Sequence, residues 1–133
     1  MWAGDRASQA MGMEIISVDE GRAILRMVVR DNQVNGHGTC HGGITYALAD
    51  SAFAFACNSR NQSSVAQHNS ISYLAPAKLG DVLTATGTEV ALAGRSGLYD
   101  VIVTNEAGTK IAAFRGASRT IRGSLFEEEG LDA

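Results

Sequence analysis

The chain has 133 residues, 45% hydrophobic and 19% charged, with a formal net charge of -3. That length fits one domain with a core of its own, the composition is that of a globular protein, and the acidic balance argues against a nucleic-acid surface as main partner. Two cysteines, Cys40 and Cys57, are too few for a disulfide framework and read as buried free thiols in a reducing cytoplasm. In chain order, Ala3 to Met11 reads as a short helix closed by Gly12. Met13 to Val18 and Ala23 to Val29 read as the two strands of a hairpin turning at Asp19-Glu20-Gly21. Asp31 to Cys40 is polar and Gly-rich, hence a loop. Ile44 to about Ser59 is too long for a typical strand and is apolar nearly all round. It predicts a helix enclosed by other structure.

The second half reads as all-β. Ser64 to Leu74 is a strand, interrupted at Ala75-Pro76 and closed at Leu79-Gly80-Asp81. Val82 to Ala93, Leu98 to Thr104 and Lys110 to Ile121 are strands, with turns at Gly94 to Gly97 and Asn105 to Gly108. The domain is expected to span 1–123, with a disordered acidic tail over 124–133 around Glu127-Glu128-Glu129. No apolar signal core or transmembrane-length run is visible, so the expectation is a cytoplasmic protein without a membrane partner. One enclosed helix with five or six strands is an α+β plan on an antiparallel sheet. A single thin sheet cannot cover a helix on all sides, so self-association is expected to finish the burial.

The chemistry concentrates in one segment, HGGITYALADSAFAFACN, from His41 to Asn58. His41-Gly42-Gly43 leaves backbone N–H groups free at a helix N-terminus, which favours developing negative charge. Asp50 sits in an otherwise apolar or small run, where a carboxylate must be neutralised, paired or used. Pairing with a core Arg or with backbone N–H groups is the structural reading of Asp50, and a base or nucleophile is the chemical one. A metal is not implied, because the spacing of His37, Cys40, His41 and Asp50 fits no standard zinc pattern.

The motifs Asn35-Gly-His-Gly, His41-Gly42-Gly43, the helix with Asp50, Tyr73-Leu-Ala-Pro-Ala-Lys-Leu-Gly-Asp81, Gly97-Leu-Tyr-Asp100 and Phe114-Arg-Gly116 come in an order that resembles the hotdog-fold acyl-CoA thioesterases. The phenylacetate-pathway (PaaI-type) branch is the nearest likeness. The resemblance covers roughly Ala7 to Gly123. It implies a sheet wrapped around the long helix, edge-to-edge dimers that pair into a tetramer, and an active site at the dimer interface. There the HGG end of one chain would meet the helix Asp of the other. The substrate it implies is phenylacetyl-CoA or a ring-hydroxylated form. No cofactor is expected, because coenzyme A is part of the substrate.

On that resemblance Gly42 supplies the oxyanion donor, with Gly43 close behind. Asp50 is general base on water, or nucleophile giving a mixed anhydride. Asn35 helps orient the attacking group, although Asn-Gly is also a common turn pair. His41 organises the loop and touches the substrate oxygen. Phe53, Phe55 and neighbouring apolar residues of the helix are expected in the acyl pocket, with plain core packing as the reading for most of them. Val65 to His68, Ala66 among them, and Tyr73 line the strand along the acyl or pantetheine arm. Arg95 and Ser96 occupy the turn near the pantetheine or nucleotide, with Lys110 and Arg119 as further cations for the phosphates and a solvated surface charge as the alternative reading of each cation. Some relatives carry a hydroxyl where Ala66 stands. His37 and His68 receive no role. The competing readings are a dehydratase or hydratase on the same fold, a thioesterase for another acyl-CoA, and a non-catalytic acyl-CoA-binding protein.

Overall fold

The structure is a computed structural model that describes residues 1–121; the expected acidic tail at 124–133 lies outside the described residues. A short 3-10 turn at Trp2–Gly4 leads into α1 (Arg6–Ala10). Asp5 caps α1 by accepting from the Ser8 N–H at 3.0 Å, and Gly12 closes it with φ +83. There follow β1 (Glu14–Asp19), β2 (Arg22–Val28), α2 (Gly42–Cys57), β3 (Ser64–Tyr73), β4 (Val82–Ala93), β5 (Ser96–Thr104) and β6 (Lys110–Thr120). The expected helix, strands and turns are all present within a few residues of the sequence reading.

The six strands form one sheet in the order β1-β2-β4-β5-β6-β3, antiparallel throughout. Left-handed glycines make two of its turns: Gly21 (φ +72) between β1 and β2, and Gly94 (φ +61) between β4 and β5. Side-chain-poor glycine adopts that backbone without the clash a Cβ would bring. The hairpins are consecutive only within β1–β2 and β4–β5–β6. The chain leaves β2, passes through α2, and lays β3 on the far edge beside β6 before returning to β4. A run of hairpin turns cannot reveal that excursion, because strand order is set by where the helix crosses the sheet.

The core lies between α2 and the inner face of the sheet. Leu48, Ala49, Ala52, Phe53 and Ala56 of α2 meet Ala23, Leu25 and Met27 of β2, Leu83 and Ala85 of β4, Val101 and Val103 of β5, and Phe114 of β6, all buried. Fully burying each large side chain of this set contributes about 1.5–3 kcal/mol. Two glycines let the helix sit close. A Cβ on Gly87 would stand 3.2 Å from the Ala52 carbonyl oxygen, and one on Gly116 would stand 2.8 Å from the Phe53 ring. On its other side α2 is only partly covered. Tyr46, Ala47, Asp50, Ser51 and Ala54 are half-buried, with α1 joined to it by a Ser8–Ser51 hydroxyl contact of 2.9 Å. Beside that side runs β3, whose Val65 and Tyr73 are 47% and 53% exposed.

Candidate active site

The loop before α2 is held by its own polar groups. The Asn35 side-chain oxygen accepts from the His37 N–H (2.9 Å), the Thr39 N–H (3.2 Å) and the Thr39 hydroxyl (3.2 Å). Its acceptor is therefore spent on the turn, and only its NH2 group remains to meet a reacting group. Cys40 N–H donates to the Ala77 carbonyl (2.7 Å) and His41 N–H to the Gln33 carbonyl (2.8 Å). These bonds fix the point at which α2 begins.

His41 is the N-cap of α2, and its Nδ1 accepts from the Gly43 N–H at 3.1 Å. That bond requires an unprotonated Nδ1, so a neutral ring carries its proton on Nε2, free to donate outward. It also withdraws the Gly43 N–H from any substrate. The Gly42 N–H has no acceptor among the described residues and stands at the positive end of the helix. Of the two glycines, Gly42 is thus the one with a free donor. The Tyr73 hydroxyl donates to the Gly42 carbonyl at 2.7 Å, tying the start of α2 to the end of β3. Beside Gly42 opens a cavity of about 370 Å³, bordered by Cys40, Thr45, Tyr73, Pro76 and Ile111.

Asp50 lies two turns further along α2. Among the described residues, neither a core Arg nor backbone N–H groups hold it. Its partner is Asn69 of β3, whose Nδ2 donates to Asp50 Oδ1 at 3.3 Å and to the Tyr46 hydroxyl at 3.0 Å. Burial raises the Asp50 pKa above its ordinary value, and the Asn69 bond draws it back in part. A carboxylate that is half-buried, short of counter-charge and within reach of an open face is suited to accept a proton from water or to attack a carbonyl carbon.

Asn69 and Tyr46 are the site residues the sequence reading missed. Tyr46 is i-4 from Asp50 on the same helix, a spacing that brings two side chains together, and that signal was available. Asn69 was hidden by a bulge in β3 between Ala66 and His68. The bulge shifts the alternation, so Ala66 and Asn69, three apart, both stand opposite inward residues of β6, Ser118 and Gly116. A strict period of two would put them on opposite faces.

The aromatic pocket is a correction. Phe53 is 1% exposed, with its ring 5.7 Å from both Tyr99 and Phe114. It is a core plug, and no acyl group reaches it without displacing the core. Phe55 is buried against Trp2, ring centroids 6.0 Å apart. Arg95 and Ser96 border a different cavity, of about 130 Å³, together with Cys57, Arg60, Tyr99 and Ser118, beyond the C-terminal end of α2. Burial pushes the Cys57 thiol up to about 12 and raises that of Cys40, so neither is a nucleophile near neutral pH.

A single antiparallel sheet wrapped on one long helix, with a free N–H at the helix start and a carboxylate eight residues on, defines a hotdog domain of the hydrolytic kind. Residues 37–112 match the thioesterase superfamily, and this chain belongs to that family. It is a thioester hydrolase of the PaaI type, as the first two of three likenesses indicate. Acyl-coenzyme A thioesterase PaaI of Escherichia coli (strain K12) is 41% identical over 128 residues, 96% of this chain and 91% of that protein. The solved structure of the E. coli PaaI protein from the phenylacetic acid degradation operon superposes with a TM-score of 0.92 at 42% identity, over 93% of this chain and 90% of that one. A hypothetical thioesterase protein from Streptococcus pneumoniae TIGR4, solved with coenzyme A, gives a TM-score of 0.78 at 28% identity, covering 81% and 87% of the two chains. Among the described residues, no helix is long and apolar enough to cross a membrane.

Proposed function

We propose that this chain hydrolyses acyl-CoA thioesters, with phenylacetyl-CoA or a ring-hydroxylated form as substrate, at a site shared by two chains. The observation that carries the reading is the pairing of a free Gly42 N–H with a half-buried Asp50 that has no ion-pair partner among the described residues. Thioester hydrolysis needs a polarised carbonyl and an attacking oxygen, and thiolate leaves without a strong general acid. The Gly42 N–H and the helix dipole take the charge on the carbonyl oxygen. Asp50 removes a proton from the attacking water as the C–O bond forms. The tetrahedral oxyanion then collapses, breaking the C–S bond and releasing coenzyme A as the thiolate. Direct attack by Asp50 is the alternative, giving a mixed anhydride that water then opens. The arylacetyl choice rests on the likeness to PaaI. No cofactor is needed for either course.

Two chains are required because Gly42 and Asp50 of one chain are eight residues apart on a helix, about 12 Å along its axis. One thioester carbon cannot lie within bonding reach of both. An isologous pair, with α2 helices antiparallel across β3, would bring the Gly42 end of one helix beside Asp50 of the other. The exposed Val65 and Tyr73 at the β3 edge support that edge as the joint, and a dimer of such dimers is the proposed assembly. The cavity beside Gly42 then receives the acyl group, with Tyr73 on its wall. Arg95 and Ser96 lie beyond the end of the helix that supplies Asp50, a position suited to the phosphates of coenzyme A.

The test is free-thiol release from phenylacetyl-CoA, its hydroxylated forms, benzoyl-CoA and a short aliphatic acyl-CoA. The expected result is turnover on the arylacetyl set. Turnover on aliphatic substrates alone would remove the arylacetyl assignment. Binding of acyl-CoA without thiol release on any substrate would replace the reading with a binding protein.

A further inference from the structure

The amide of Asn69 is set by what it faces across the cleft rather than by the strand that carries it. Both hydrogens of its Nδ2 are committed, one to Asp50 Oδ1 at 3.3 Å and one to the Tyr46 hydroxyl at 3.0 Å. Its Oδ1 is buried and, among the described residues, has no hydrogen-bond partner. Leaving a buried amide oxygen unsatisfied costs free energy. The opposite orientation would bring that oxygen against the carboxylate, an acceptor facing an acceptor. The amide is therefore matched to Asp50 in its ionised state, because an ionised carboxylate only accepts and a protonated one also donates. Tyr46 anchors the arrangement from α2, its ring edge-on to Phe114 of β6 with centroids 5.6 Å apart. The position three residues earlier on the same inward face, Ala66, offers no polar atom.

We propose that Asn69 is the positioning residue for Asp50, holding its carboxylate ionised and in one orientation for attack. The proposal rests on the functional reading above. Asn69 touches neither carbonyl nor thiolate; it acts through Asp50 by donating to one oxygen, which leaves the other to meet the water or the carbonyl carbon. Few groups share this work. On α2 the Tyr46 hydroxyl and the Cys57 thiol lie near Asp50, and at the start of α1 the Asp5 carboxylate accepts from the Ser8 hydroxyl, which also meets that of Ser51. None of these donates to Asp50 among the described residues, so Asn69 alone opposes the effect of burial.

The experiment is the pH profile of kcat/KM for thiol release, from about pH 5 to pH 9, by wild type, Asn69→Asp, Asn69→Ala, Tyr46→Phe and Asp50→Asn. Asn69→Asp keeps the shape of the side chain and sets a second carboxylate against Asp50. The expected result is a fall of about tenfold or more at neutral pH and an acid limb moved up by about one pH unit or more, because a like charge disfavours the second ionisation. Asn69→Ala moves the acid limb the same way, by less. Tyr46→Phe retains the ring and its packing, so it folds, and it moves the limb upward by loosening the amide. KM changes little in all three. A wild-type acid limb and wild-type kcat in these variants, with Asp50→Asn inactive, would overturn the proposal and leave the functional reading standing. Full activity in Asp50→Asn would overturn both.

Discussion

The two sides of α2 are built to different rules. Toward β2, β4 and β5 the helix presents Leu48, Ala49, Ala52, Phe53 and Ala56, buried among hydrocarbon, with Gly87 and Gly116 cut back to let it settle. Toward the open side it presents Tyr46, Ala47, Asp50, Ser51 and Ala54, half-buried, with one carboxylate, one amide partner and an edge strand left uncovered. The first side is complete within one chain and determines the fold. The second is only partly covered within one chain, and the proposed chemistry lies there. A buried face tolerates only shape changes, whereas a half-buried polar face tolerates titration and approach by a second molecule.

The largest effect separates the two sides by function. Asp50→Asn should lower thiol release by about 10²–10⁴-fold, the usual worth of a positioned base, while the protein stays folded; steady-state assay with a thermal melt checks both halves. Next comes the dry side. Gly116→Ala should destabilise by about 1–3 kcal/mol, an overpacking cost, because its Cβ would meet the Phe53 ring at 2.8 Å. Urea unfolding measures this, and an unchanged midpoint would mean that Phe53 has room to move. A smaller effect joins the two sides. The folded state raises the Asp50 pKa above its ordinary 3.8, so the native protein holds that proton more tightly than the unfolded chain. Native stability on this account falls as pH rises from about 4 through the folded value. Asp50→Asn removes that loss, so the gap in melting temperature between variant and wild type should open in favour of the variant as pH rises. The smallest effect belongs to the outer face, where Arg115 donates twice to Asp100, at 2.7 and 2.9 Å. The pairing holds the Asp100 carboxyl below its ordinary value. Its stabilisation is present above that ordinary value and is lost as pH falls through the lowered one. Because the pair is exposed, Asp100→Asn should change the melting temperature only slightly at neutral pH.

The sequence was most readable where single residues fix local geometry. Gly21 and Gly94 mark turns that require positive φ, and His41-Gly42-Gly43 marks a helix start with a free donor. Asp50 was conspicuous because nothing else in its stretch is charged. What depends on distant partners was hidden. The order of the strands follows from the helix crossing to the far edge, which no local pattern encodes. Asn69 was concealed by the bulge that breaks the two-residue alternation of β3. Phe53 and the cavity-lining Thr45 both lie on α2, and periodicity does not separate a core ring from a pocket wall when the helix is apolar nearly all round. Family resemblance supplied the chemistry expected of Gly42 and Asp50 and already put Gly42 ahead of Gly43; the bond from the Gly43 N–H to His41 is the geometric detail that resemblance did not carry.

The most direct test of the account is complementation between two inactive variants. Gly42→Pro removes the donor while proline at the first helical position is compatible with α2; its Cβ would stand 3.1 Å from the hydroxyl of the exposed Tyr73 side chain, which must give way slightly, and His41 already has the extended backbone (φ -58, ψ 135) that a following proline requires. Asp50→Asn removes the acting carboxylate. Each variant alone should be nearly inactive. Unfolded together and refolded as a mixture, they should recover thiol release well above either parent, because a mixed pair contains one site with both an intact Gly42 and an intact Asp50. A mixture no more active than its parents, with mixed pairs shown to form, would contradict the shared site.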